Sequence, residues 1–125
     1  MSTAPRVLVV DDNAINLALM TYLLDACGFE TAAAGNGEEA LACLADWPDA
    51  AAVLCDIQMP VMDGYDATRA IRALSGDKAN TPIIAMTANV MAAERQRCFD
   101  AGMDGFIPKP FKKEDMLGEI GRVVG

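Results

Sequence analysis

The sequence contains no histidine. That absence excludes a histidine general base, a histidine metal ligand and a phosphohistidine formed on this chain. No apolar run approaches the roughly 18 residues of a membrane span. The opening Met-Ser-Thr-Ala-Pro-Arg lacks the basic-then-apolar order of a secretion signal. A cytoplasmic protein without membrane insertion is expected. Cysteine is sparse: Cys27, Cys43, Cys55 and Cys98 are widely spaced, form no Cys-x-x-Cys pair and lie in apolar segments. They read as small buried hydrophobes in a reducing compartment, not as a disulfide or zinc framework. Basic residues are outnumbered, 10 Lys and Arg against 18 Asp and Glu, for a net charge of −8. Such a surface repels phosphate backbones, so direct nucleic-acid binding is not expected. No linker, repeat or low-complexity tract interrupts the 125 residues. Residues 1–125 are therefore expected to form one domain with no output domain attached.

What is present is a regular alternation of strand-like and helix-like segments. Arg-Val-Leu-Val-Val (6–10) is followed by a helical stretch from Ala14 to Cys27, with Gly28 as its stop. Phe29–Ala33 is a weaker strand, because alanine has little β preference. Asn36-Gly37 turns into a helix over Glu38–Ala45, and Trp47-Pro48-Asp49 is a loop. A third strand covers 51–55, and Asp63-Gly64 leads into a helix over Tyr65–Leu74. After the polar loop Ser75–Asn80, Thr81-Pro82 opens a fourth strand. A helix over Val90–Ala101 stops at Gly102, a short fifth strand covers 105–107, and Lys113–Val124 forms the last helix. Five such units imply an α/β fold: a doubly wound parallel sheet with helices on both faces. Right-handed crossovers favour strand order 2-1-3-4-5.

That order explains where the polar groups fall. The first strand runs into Asp11-Asp12, the third into Asp56, the fourth into Thr87 and the fifth into Lys109. The second, at the far edge, ends in Ala34-Gly35 with nothing reactive. Ligands bind at the carboxyl edge of such sheets. Asp11-Asp12 read equally as helix-entry acids. A third acid on the neighbouring strand end shifts the balance, since two carboxylates ~4 Å apart repel by about 4 kcal/mol at an effective dielectric near 20. A cation must offset that repulsion, and hard oxygen donors select Mg²⁺. Asp56, the central acid, is the candidate nucleophile, because a carboxylate can attack phosphorus to give an acyl phosphate. The Thr87 hydroxyl and the Lys109 ammonium would hold phosphoryl oxygens. Lys109-Pro110 is a candidate cis bond, although most X-Pro bonds are trans.

Two further features have competing readings. Phe106 is either an edge-strand aromatic or a ring that swings inward when Thr87 is drawn to a phosphate. The first helix carries Ile15, Leu17, Leu19, Met20, Tyr22, Leu23 and Leu24, about twice the apolar content of one core-facing stripe. Either this helix is buried more than usual, or part of it is a partner surface.

Val-Val-Asp-Asp-Asn (9–13), Asp-Ile-Gln-Met-Pro-Val-Met-Asp-Gly (56–64), Met-Thr-Ala (86–88) and Phe-Ile-Pro-Lys-Pro (106–110) resemble the receiver domain of two-component response regulators. The resemblance covers essentially the whole chain and implies a flavodoxin-like fold. It implies that Asp56 accepts a phosphoryl group from a phosphohistidine of a histidine kinase or histidine phosphotransfer protein. Mg²⁺ would be held by Asp12, Asp56 and the Gln58 backbone carbonyl, with Asp11 acting through water. Thr87 and Lys109 would bind the phosphoryl group, and Thr87 with Phe106, in place of the commoner Tyr, would form the switch. Asn13, Asn16, Met-Asp-Gly (62–64) and Ala-Met-Thr-Ala-Asn (85–89) resemble receivers of hybrid kinases and phosphorelays. There the phosphotransfer protein docks on the first helix, which points to Ile15 and Leu17. Gln58 and Asn89 occupy positions thought to tune dephosphorylation.

The leading expectation is thus a phosphoacceptor signalling switch. It would be no enzyme beyond its own phosphorylation and dephosphorylation, and a monomer that dimerises at most weakly when phosphorylated. The alternative is a phosphorylation-independent pseudo-receiver interaction module, which would ordinarily have lost part of the acid, threonine and lysine set. A Mg²⁺ phosphatase with an Asp nucleophile would want a second acid where Gln58 stands. A flavodoxin would want a Ser/Thr-rich loop where Asp11-Asp12 would repel phosphate.

Overall fold

A computed structural model of the chain describes residues 6–46, 50–56, 64–74, 81–87, 92–108 and 113–124. Five strands alternate with five helices: β1 (Arg6–Val10), α1 (Ala14–Ala26), β2 (Glu30–Ala34), α2 (Gly37–Asp46), β3 (Ala52–Asp56), α3 (Gly64–Arg72), β4 (Ile83–Thr87), α4 (Ala92–Ala101), β5 (Gly105–Pro108) and α5 (Lys113–Val124). All strand pairings are parallel, in the order β2-β1-β3-β4-β5. The alanine-rich β2 forms because every one of its residues is in register with β1, from Arg6↔Glu30 to Val10↔Ala34. Pairing outweighs weak intrinsic propensity there.

Four boundaries differ from the sequence expectation in a way that matters. β3, β4 and β5 each run one residue further than expected, to Asp56, Thr87 and Pro108. Asp56 and Thr87 are therefore the last residues of strands, held by the ladder. α3 stops at Arg72 instead of Leu74. Its end tightens into a three-residue turn, with the Ala73 N–H shared between the Arg69 and Ala70 carbonyls and the Leu74 N–H donated to Ile71.

Both glycine stops are real. Gly28 and Gly102 have φ of 93° and 106°. In each case the following N–H reaches back across the helix end, Phe29 to Leu24 at 3.1 Å and Met103 to Cys98 at 3.0 Å.

The sheet is buried on both faces, which is why its central strands are nearly continuous apolar runs. Side chains alternate. Leu8, Val10, Val53, Cys55, Ile83 and Ala85 pack with Ala40 and Leu44 of α2, Tyr65, Ala67 and Ile71 of α3, and Cys98 and Ala101 of α4. Val7, Val9, Leu54, Ile84, Met86 and Ile107 pack with Met20 and Leu24 of α1 and Met116 and Ile120 of α5. Cys55 and Cys98 are buried, Cys27 and Cys43 half-buried, and all four are free thiols. Among the described residues, no helix is long and apolar enough to cross a membrane.

Candidate functional site

The site is built at the carboxyl ends of β1, β3 and β4. Asp11 follows β1 directly and its N–H still donates to Ala34 of β2 at 3.0 Å. That bond keeps Asp11 in line with the sheet and fully buried. The pair Val10↔Cys55 is the last in register between β1 and β3, so the next step sets Asp11 beside Asp56. Asp56 is buried as well, whereas Asp12 is exposed.

The Asp11 carboxylate is held from two sides. Its Oδ1 accepts the Asn13 N–H at 2.9 Å and its Oδ2 accepts Asn16 Nδ2 at 3.3 Å. Asn13 is the residue that caps α1: its Oδ1 accepts from the N–H groups of Ile15 at 2.9 Å and Asn16 at 3.1 Å. The capping role that Asp11-Asp12 could have filled thus falls to Asn13, and neither acid is spent on it.

One carboxylate oxygen from each of Asp11, Asp12 and Asp56 lies within 4.8 Å of the other two. Like charges at that spacing repel by roughly 3 kcal/mol per pair at an effective dielectric near 20, less where Asp12 meets solvent. The donor set is entirely oxygen, half-buried in aggregate and anionic, which suits a small hard divalent cation better than zinc or copper.

Thr87, the last residue of β4, is also buried. The pair Asp56↔Met86 places it one step beyond Asp56 on the neighbouring strand. Thr87 is itself in register with Pro108, the end of β5. Lys109 follows Pro108 in sequence but lies outside the described residues, as do Gln58, Asn89 and the Lys109-Pro110 bond. Phe106 is half-buried against the α2–α3–α4 side of the core, with the Arg95 guanidinium 4.6 Å from its ring centroid, while Ile107 is buried on the opposite face.

The surplus apolar content of α1 resolves into two faces. Met20 and Leu24 are buried. Leu17 and Leu23 are half-buried against the same core. Ile15, Leu19 and Tyr22 are 78%, 47% and 70% exposed and lie at i, i+4, i+7 on the outer side. Of the two residues expected at a partner surface, Ile15 is therefore on the outer stripe and Leu17 on the core side. Leu19 and Tyr22 belong with Ile15; spacing groups the three on one stripe, and the packing of α1 turns that stripe outward.

The sequence profile of the response regulator receiver domain matches residues 7–121. The chain is 36% identical to the probable histidine kinase 3 of Oryza sativa subsp. japonica and 41% identical to the sensor histidine kinase GacS of Pseudomonas protegens, over 94% and 92% of this chain. It spans 13% of the length of either protein. Among solved structures it is similar to the receiver domain of a sensor histidine kinase from Pseudomonas aeruginosa, which has a magnesium ion coordinated in its active site cleft. That pair has a TM-score of 0.87 and 34% identity, covering 98% of this chain and 99% of that one. The chemotaxis response regulator CheY4 of Vibrio cholerae gives a TM-score of 0.88 with 32% identity, covering 97% and 99%. Strand order, acid cluster and sequence profile converge: the chain belongs to the response regulator receiver domain family, the phosphoacceptor modules of two-component and phosphorelay signalling.

Proposed function

We propose that Asp56 is the phosphoryl acceptor and that the chain works as a Mg²⁺-dependent switch in a phosphorelay. The observation that carries this is the convergence of Asp11, Asp12 and Asp56 within 4.8 Å, with Asp56 buried at the centre of the sheet edge. A carboxylate oxygen of Asp56 attacks the phosphorus of a phosphohistidine. The P–N bond breaks, its electron pair stays on the donor imidazole, and an acyl phosphate remains on Asp56.

Asp11, Asp12 and Asp56 would hold Mg²⁺, with the Gln58 carbonyl completing the protein's donor set. When bound, the ion supplies positive charge that offsets the repulsion between the acids and the incoming phosphoryl group. Thr87 donates its hydroxyl to one phosphoryl oxygen and Lys109 its ammonium to another. Movement of Thr87 toward the phosphate, accompanied by Phe106, carries the change to α4, β5 and α5.

The donor is a histidine kinase or histidine phosphotransfer protein that docks on α1 through the stripe headed by Ile15. Relatives that are histidine kinases support this reading, as does a chain with no histidine of its own. The catalytic scope is limited to phosphorylation and dephosphorylation of Asp56. Residues 1–125 act as one receiver unit in the cytoplasm, monomeric in the resting state, without binding nucleic acid.

Incubation with acetyl phosphate and Mg²⁺, followed by intact mass measurement, tests the assignment. A gain of one phosphoryl group that disappears in Asp56→Asn is expected. No gain, or a gain that survives the substitution, refutes it.

A further inference from the structure

The two connections that leave the site, from Asp56 to α3 and from Thr87 to α4, land on helices whose first turns are bonded to each other. Tyr65, the second residue of α3, is buried, and its phenol donates a hydrogen bond to Glu94 Oε1 in the first turn of α4. The Arg97 guanidinium lies 4.7 Å from the Tyr65 ring centroid and 3.7 Å from Glu94 Oε2. The buried Cys98 lies one turn further along α4, on the same side as Glu94. Burial, and then the Glu94 carboxylate, push the phenol pKa up, so the proton that makes the bond stays in place. α4 is anchored toward its far end by the buried Cys98 and Ala101, whereas in its first turn Ala93 is exposed and Glu94 half-buried.

We propose that the Tyr65–Glu94 hydrogen bond is a latch that fixes the first turn of α4 against α3 in the unphosphorylated arrangement and opposes phosphorylation of Asp56. The proposal rests on the reading of Asp56 as acceptor. If a phosphoryl group draws Thr87 and the start of α4 inward, α4 must shift against α3, and the bond is made in one state only. Any contact made only in the resting state lowers the population of the other, and the coupling is reciprocal. Tyr65 and Glu94 are positioning residues here, since neither touches the reacting atoms.

Tyr65→Phe keeps the ring and its packing while removing the donor. Amide exchange over residues 92–97 without any phosphoryl donor is expected to speed up about fivefold, with β3 and β4 unchanged. The rate of acetyl phosphate labelling, in Mg²⁺, is expected to rise about fivefold. Glu94→Ala should reproduce both effects, and the double variant should add nothing to either single one. Glu94→Gln, whose amide oxygen still accepts from the phenol, should stay close to wild type. Unchanged exchange in Tyr65→Phe overturns the latch. Faster exchange with unchanged or slower labelling overturns its opposition to phosphorylation. A wild-type protein that takes no phosphate refutes the acceptor reading itself, and the exchange measurement then decides the latch alone.

Discussion

Asp11 accepts the backbone N–H of Asn13 at 2.9 Å, so the chain itself fixes a fully buried carboxylate from two residues downstream. Asn13 can do this because it is also the cap of α1, with its φ of −98° and ψ of 114° leaving its own N–H pointed back at the acid. The helix start and the acid site are one local structure. Asp11 is therefore held by the same residue that starts α1.

Removing one acid should relieve stored repulsion. Asp12→Asn is expected to raise the melting temperature in EDTA by about 4 °C, corresponding to ~1 kcal/mol for a domain of this size. The same variant should lose the stabilisation that Mg²⁺ gives the wild type. Thermal unfolding of both proteins with and without Mg²⁺ measures this. An undiminished Mg²⁺ response would place the cation elsewhere.

The outer stripe of α1 separates docking from stability. Ile15→Glu should weaken phosphotransfer from a histidine phosphotransfer protein by about tenfold or more, the effect of losing an interface anchor. Its stability should stay within about 0.5 kcal/mol of wild type, because Ile15 is exposed. Leu17→Glu should instead unfold more readily, since Leu17 packs against the sheet. Comparing phosphotransfer rates with denaturation midpoints tells the two apart.

The open edge of β5 is closed by a side chain. Phe106 donates its outward N–H to Glu119 Oε2 at 3.1 Å, and Pro108, two residues on, has no N–H to offer. Arg122 braces the same carboxylate at 3.0 Å and, with the Phe106 N–H, holds the Glu119 pKa below its ordinary value, against a smaller upward effect of burial. A depressed carboxylate contributes stability above its unfolded pKa and loses it as pH falls through the folded one. Glu119→Gln should thus be less stable near neutrality, by about 1 kcal/mol. The gap to wild type should close as pH falls below the ordinary value of 4.5. Melting temperatures of the two proteins from pH 3 to 7 would show it, and a gap independent of pH would contradict it.

At the end of the sheet away from the acids, Arg72 ties α3 to two turns. Its guanidinium donates to the carbonyls of Thr81 at 2.7 Å and Gly102 at 2.7 Å and pairs with Asp104 at 2.7 Å. Arg72→Ala should cost about 2–4 kcal/mol, because it strips partners from two part-buried carbonyls as well as an ion pair. Chemical denaturation measures the loss. Mg²⁺ affinity, read separately, should not change, since this network is remote from the acids.

Much of this was legible in the chain. Apolar runs, glycine stops and the polar groups that follow each run give the element order, and the right-handed crossover rule gives the sheet order. Gly28 and Gly102 mark helix ends because their positive φ suits no other residue as well. Boundaries were less legible: the ladder carries β3 to Asp56 and β4 to Thr87, which local propensity does not register. The role of Asn13, and the assignment of Leu17 to the core and Leu19 and Tyr22 to the surface, needed the rotation of α1 against the sheet.

The sequence by itself determined which groups stand at which strand ends, because strand alternation and crossover handedness are local and chiral properties of the chain. Only the tertiary structure decided the distances among Asp11, Asp12 and Asp56, the bond from Tyr65 to Glu94 and the cover that Glu119 gives β5. Each of these joins residues far apart in the chain through side-chain reach and packing angle, and neither quantity is written in local propensity.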